Sequence, residues 1–241
     1  MAERFAEHGA KLVIAGRRQE RLDAAADAMR ERGGTVMTAA LDVRDYDAVE
    51  AALGNIGPID ILLCAAAGNF PAPVDGMSAN GFKAVIDIDL LGTFNTCRAA
   101  SAVLRSPGAS VLAISAAHAQ MPIAYQSHVC AAKAGIELFM KTLAIEWGPR
   151  GIRANCIVPG PTDETEGMRR LAPTEAARER VIAGVPLRRC GTRDELADLA
   201  LFLCSPAAAY ITGGVFQCDG GSSLAPLGPI ELPEGRIRRI K

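Results

Sequence analysis

The chain has 241 residues, 49% of them apolar, and a net charge of −1. That length carries one large α/β domain or two small ones, with ample material for a core. The balanced charge and few aromatics exclude a basic or stacking surface for nucleic acid, and no apolar run is long enough to span a membrane.

The N-terminus, MAERFAEHGA, reads as an amphipathic helix and lacks the apolar centre of a signal peptide. Residues 1–8 form that helix, closed at Gly9, and 11–15 (KLVIA) a buried strand. A helix over 18–32 ends at Gly33-Gly34. Residues 35–41 form a second strand, and 45–53 a short helix capped by Asp45. A third strand, 59–64, runs into the small-residue turn Ala65-Ala66-Ala67-Gly68. One long helix covers 78–104, followed by a strand over 110–115.

Residues 125–160 are the most organised stretch. Ala132, Ile136, Phe139, Met140, Leu143 and Trp147 recur at helical spacing. Gly148-Pro149 stops the helix, and 152–158 is apolar and β-branched, as a strand buried on both faces should be. Lys133 stands among Cys130, Ala131, Ala132, Ala134 and Gly135. Such small neighbours let another segment approach the helix closely. The Pro-punctuated stretch 161–187 is irregular apart from a helix over 174–182. A helix over 192–204 with Thr192 as N-cap and a last strand at 215–218 follow. The tail from Leu224 carries three prolines and the basic cluster Arg236, Arg238, Arg239 and Lys241.

Alternating strands and helices imply a doubly wound parallel sheet of Rossmann type in one domain. Ligands bind beyond the carboxyl ends of such strands. Four strand ends are chemically distinctive: Gly16-Arg17-Arg18, Asp42-Val43, the Ala-Ala-Gly turn at Ala66 to Gly68, and Pro159-Gly160. Small residues admit a flat ring and a sugar, and paired arginines suit a phosphate; Arg17 and Arg18 read equally well as the solvated start of a helix. The seven cysteines lack CxxC or Cys/His metal spacing. They read as reduced packing residues of a cytoplasmic protein that holds no metal.

The series Asp42-Val43, Gly68, Asp89-Leu90-Leu91-Gly92, Ser115, Lys133, Pro159-Gly160 and Asp219-Gly220-Gly221 resembles the short-chain dehydrogenase/reductase superfamily through about Ser223. Within it, the blocks Ala66-Ala67-Gly68-Asn69-Phe70, Asn80-Gly81-Phe82-Lys83, Gly92-Thr93-Phe94-Asn95, Glu146-Trp147-Gly148-Pro149 and Thr165-Glu166-Gly167-Met168-Arg169-Arg170 resemble 2,4-dienoyl-CoA reductases, especially the peroxisomal type. The superfamily usually carries Tyr-x-x-x-Lys, but four residues before Lys133 stands Val129, and Tyr125 lies too far upstream. Dienoyl-CoA reductases also lack that tyrosine.

The resemblance implies NADPH-dependent reduction of a 2,4-dienoyl-CoA thioester in fatty-acid β-oxidation. Asp89 and Lys133 carry over as the catalytic pair, with His118 at the place of the mitochondrial type's tyrosine. Arg17, Arg18, Asp42, Val43, Ala66, Gly68, Lys133, Pro159, Gly160 and Thr162 are implied to hold NADP(H). Asn69, Phe70, Ser115, Arg169 and Arg170 are implied to face the acyl-CoA, under a lid at about 161–190 and beside a tail at about 224–241. A homotetramer built on the two long helices is implied as well. The family's first strand and TGxxxGxG turn are not in this sequence; it reads as a start recorded too late or as a truncated protein, and without that strand a gap is expected between the strands at Lys11 and Ile59. An oxidoreductase of another substrate and a non-catalytic relative remain alternative readings.

Overall fold

The computed structural model describes residues 1–224, apart from the side chains of Arg170 and Leu171. Each short apolar run forms a parallel strand. These are β1 (Lys11–Gly16), β2 (Thr35–Ala40), β3 (Ile61–Cys64), β4 (Ser110–Ile114), β5 (Arg153–Pro159) and β6 (Val215–Cys218). The amphipathic segments form α1 (Ala2–Glu7), α2 (Gln19–Arg30), α3 (Tyr46–Gly54), α4 (Ala79–Val85), α5 (Gly92–Ala100), α6 (Ser127–Trp147), α7 (Glu166–Leu171), α8 (Glu175–Gly184) and α9 (Arg193–Cys204). Caps fall where short polar side chains can reach the free amides of a first turn. Asp45 accepts from Ala48, Ser78 from Gly81 and Thr174 from Ala177. Thr192 and Glu195 form a capping box.

The strands make two sheets, β1-β2 and β3-β4-β5-β6. Register is parallel throughout, with Ile61 opposite Ser110, Val111 opposite Ala154 and Cys156 opposite Val215. Leu12 of β1 and Ile61 and Leu63 of β3 pack on the same cluster around Leu112, Ile157 and Leu203. The break between the two sheets therefore falls between β1 and β3, as expected. β1 is only half-buried at Leu12, Val13 and Ile14, contrary to the buried strand expected from KLVIA. It has one strand neighbour, so its other edge lacks cover. β4 and β5, with neighbours on both sides, are buried almost throughout.

The long helix expected over 78–104 is α4 and α5 joined by a π turn at Ile86–Leu91. α7 is a further helix inside the stretch read as irregular. The proline-bearing basic tail lies outside the described residues.

Candidate active site

The π turn widens the helix by one residue per turn and commonly marks a functional position. Here it turns Asp89 inward, with no solvent exposure. Asp89 Oδ1 accepts a hydrogen bond from the Gly68 amide at 2.7 Å, which ties the loop after β3 to the helix. A Cβ on Gly68 would meet Ile88 at 3.3 Å, so that loop needs the small residue to lie so close. Lys133 Nζ lies 3.1 Å from Asp89 Oδ2 and donates to the Ile114 carbonyl at 3.0 Å. Asp89 Oδ2 stands outside hydrogen-bond geometry in this ion pair, so one buried carboxylate oxygen keeps acceptor capacity. The small residues around Lys133 have the expected use. A Cβ on Gly135 would lie 2.8 Å from Leu90, so α6 and the π turn approach closely there.

Val129 is buried one turn before Lys133 and packs with Val85 and Ala132. Its side chain has no proton to give. Tyr125 precedes α6, exposed and at φ 65°. His118 sits in a single helical turn, Ala117–Ala119, beyond the end of β4. Burial, and next the charge of Lys133, lowers its pKa below the ordinary 6.5. The ring is therefore neutral near pH 7, and its Nδ1 is buried without a partner. Ser115, expected at the substrate, is engaged within the protein. It is buried, and its hydroxyl is committed to Glu137 Oε1 at 2.7 Å. Glu137 was missed in the sequence, where an acid one turn after Lys133 looks like any helix carboxylate.

At the other strand ends, Arg17 and Arg18 are exposed, and neither is hydrogen-bonded to a carboxylate among the described residues. Hydrogen bonds from Arg44 hold the Asp42 carboxyl down at about 2. Val43 touches the start of α5, where a Cβ on Gly92 would lie 2.5 Å from it. Asn95 Nδ2 donates to the Val43 carbonyl at 2.9 Å. Ala66 and Asn69 are exposed on the loop after β3. Phe70 packs against the buried His128 ring at 4.5 Å between centroids. Pro159 ends β5, and a Cβ on Gly160 would meet Asp219 at 2.5 Å. Thr162 is buried and donates to the Gly160 carbonyl at 2.9 Å. Arg169 pairs with Glu166 on exposed α7, and the Arg170 side chain lies outside the described residues.

All seven cysteines are free thiols. Burial, and next the Glu137 carboxylate, pushes Cys156 up to about 12, which fits a packing role.

The peroxisomal 2,4-dienoyl-CoA reductase, (3E)-enoyl-CoA-producing, of Saccharomyces cerevisiae is 42% identical over 88% of this chain and 75% of its own length. A probable 2,4-dienoyl-CoA reductase, (2E)-enoyl-CoA-producing, of Bacillus subtilis is 39% identical over 94% of this chain and 92% of its own. The structure of a gluconate 5-dehydrogenase from Burkholderia cenocepacia, in complex with NADP and tartrate, superposes with a TM-score of 0.86. It is 29% identical over 93% of this chain and 89% of that one. The yeast relative, and others from animals and a plant, are named peroxisomal. They overturn the cytoplasmic expectation, since free thiols report a reducing environment but no address. A family model described as enoyl-(acyl carrier protein) reductase matches residues 1–223, and the chain belongs to that family of short-chain dehydrogenase/reductases.

Proposed function

We propose that this chain reduces 2,4-dienoyl-CoA thioesters with NADPH to 3-enoyl-CoA, as part of unsaturated fatty-acid breakdown. The observation that carries the reading is the buried Asp89–Lys133 pair beside Val129. The site lacks the tyrosine that would protonate a ketone oxygen, but it keeps an acid–base pair suited to managing a water.

The residues fit a phosphorylated nicotinamide cofactor. Arg17 and Arg18 are exposed at the end of β1, and Asp42, held by Arg44, does not compete as an acceptor for a ribose. Arg17 and Arg18 would take the ribose phosphate, Asp42 and Val43 would flank the adenine, and Ala66, Gly68, Pro159, Gly160 and Thr162 would line the path to the nicotinamide. Bound NADPH would supply the hydride that adds to the δ-carbon of the dienoyl group.

Electrons then move through the diene to the thioester oxygen, giving a dienolate. The neutral His118 ring offers an N–H to that oxygen, the stabilisation an oxyanion requires. Asp89 Oδ2 accepts a hydrogen bond from a water and aims its other proton at the α-carbon. Protonation there leaves the double bond between the β- and γ-carbons. The hydroxide left behind regains a proton from solvent beside Lys133, whose charge steadies both anions. Asn69 and Phe70 would line the acyl channel, and Arg169 on α7 would meet the CoA phosphates, with residues 161–190 as the lid.

The same fold supports self-association. Leu138 and Ile145 on α6 and Phe94 on α5 are exposed, with Phe94 and Phe139 in ring contact. Such faces are larger than one core needs. We infer a homodimer or homotetramer through these helices, and light scattering at micromolar concentration showing a monomer would reject it.

The direct test of the activity is NADPH oxidation with hexadienoyl-CoA. Turnover with release of 3-enoyl-CoA is expected. Absence of turnover with clear NADPH binding would move the reading to another substrate on the same scaffold.

A further inference from the structure

We propose that Glu137 is a positioning residue, whose two carboxylate oxygens staple both feet of the arch that carries His118. This rests on the dienoyl-CoA reading only for what the arch is for, not for its construction.

On α6, Lys133 and Glu137 stand one turn apart on the same buried face. They hold consecutive residues at the end of β4. Lys133 Nζ donates to the Ile114 carbonyl at 3.0 Å, and Ser115 Oγ donates to Glu137 Oε1 at 2.7 Å. The chain then leaves the sheet, makes the turn Ala117–Ala119 around His118, and returns. At the far foot, Gln120 Nε2 donates to Glu137 Oε2 at 3.2 Å. One carboxylate therefore closes the arch from 115 to 120, and Gln217 Nε2 on β6 reaches Gln120 Oε1 at 3.5 Å from outside.

The choice of residue is informative. Glu137 is 6% exposed and Ser115 2%. A buried carboxylate is costly unless its lone pairs are satisfied, and a leucine would fill the same place without that cost. What leucine lacks is two acceptors at fixed separation. A fully satisfied polar network holds one geometry, where apolar packing tolerates several. The geometry held here keeps His118 close enough to Lys133 for its charge to act on the ring. Lys133 thus grips the strand end and the Asp89 carboxylate, and Glu137, one turn on, sets how far His118 leans over them.

The test uses chemical accessibility of His118, which needs no substrate. Diethyl pyrocarbonate modifies neutral imidazoles, and the exposed His8 serves as internal reference. The full chain is compared with Gln120→Leu, Glu137→Gln and Glu137→Leu by mass spectrometry of the modified peptides, alongside each melting temperature. Gln120 is exposed, so its replacement leaves the core intact. Gln120→Leu should raise the His118 rate relative to His8 by about tenfold with an unchanged melting temperature, since the arch opens locally. Glu137→Gln keeps an acceptor for Ser115 and should fall between wild type and Glu137→Leu. A His118 rate at the wild-type level in folded Gln120→Leu would overturn the staple and leave Glu137 as packing alone. Loss of dienoyl-CoA turnover from the wild-type chain, with the accessibility pattern intact, would count against the proposed activity and not against the staple.

Discussion

The two sheets of this molecule do different work with different amounts of core. β4 and β5 are buried nearly end to end, over a large cluster with α3, α5 and α6, and the Asp89–Lys133 pair grows from that block. β1 and β2 rest on a small cluster of Ala26, Met29 and Val36, with β1 half-exposed. The sheets join through Phe5 and Leu12 on the cluster of Leu112, Ile157 and Leu203, and through Val43 against Gly92, with Asn95 on the Val43 carbonyl. Catalytic geometry is therefore set on the rigid side. The arginines proposed for the cofactor sit on the two-stranded side.

The largest expected effects lie in the rigid half. Asp89→Asn keeps the size but removes the charge beside Lys133 and weakens the hold on a water. Lys133→Met removes the cation and its bond to Ile114. Each should lower kcat by about 10²-fold or more, the size of a lost acid–base or oxyanion contribution. Val129→Tyr should give no gain, because a phenol one turn before Lys133 serves a ketone oxygen and not the α-carbon of a dienolate. Full activity of Asp89→Asn would show that the comparison places the chemistry in the wrong half.

Hydrogen exchange tests the difference in rigidity itself. Amides of β4 and β5 should open only with global unfolding, and those of β1 and β2 by a cheaper local route. Exchange in β1 and β2 should be faster by about tenfold or more. Equal protection in all strands would mean that the break between β1 and β3 costs nothing.

The same contrast explains what could be read from the sequence. Strand ends, caps and the α6–β5 unit were legible because Asp45, Thr174, Thr192 and Gly148-Pro149 act locally. The break between β1 and β3 was legible from the family resemblance and from no local signal in the residues. The half-exposure of β1 was not read from KLVIA, since burial depends on neighbours a strand cannot announce. The π turn at Ile86–Leu91 was invisible, because its residues keep a helical pattern and only the packing of Leu90 on Gly135 reveals the shift. The bond of Ser115 to Glu137 was not legible, because the two lie 22 residues apart on different elements.

A smaller effect is expected in the cofactor half. NADPH should be preferred over NADH by about tenfold, since a charge-assisted contact between arginine and phosphate contributes more than about 1.4 kcal/mol. Arg17→Ala with Arg18→Ala should erase that preference while leaving the Asp89–Lys133 site intact. A retained preference would mean that the phosphate is read elsewhere, and that the exposed end of β1 is only a solvated turn.

The smallest expected effect is on stability and concerns His118, at the boundary between site and solvent. Its pKa is lowered in the folded chain, by burial first and Lys133 next. Just below the ordinary value of 6.5 the unfolded chain then binds more protons than the folded one. Stability from this group is thus full above that pH and declines as the pH falls toward the folded pKa. His118→Ala should flatten the fall in melting temperature between neutral and mildly acidic pH, by under about 3 °C for a chain of this size. If His118 is also the oxyanion donor, the same substitution should cost kcat far more than stability. A loss of kcat matched by no change in the pH dependence of melting would mean that the ring is solvated and that the arch does not hold it against Lys133.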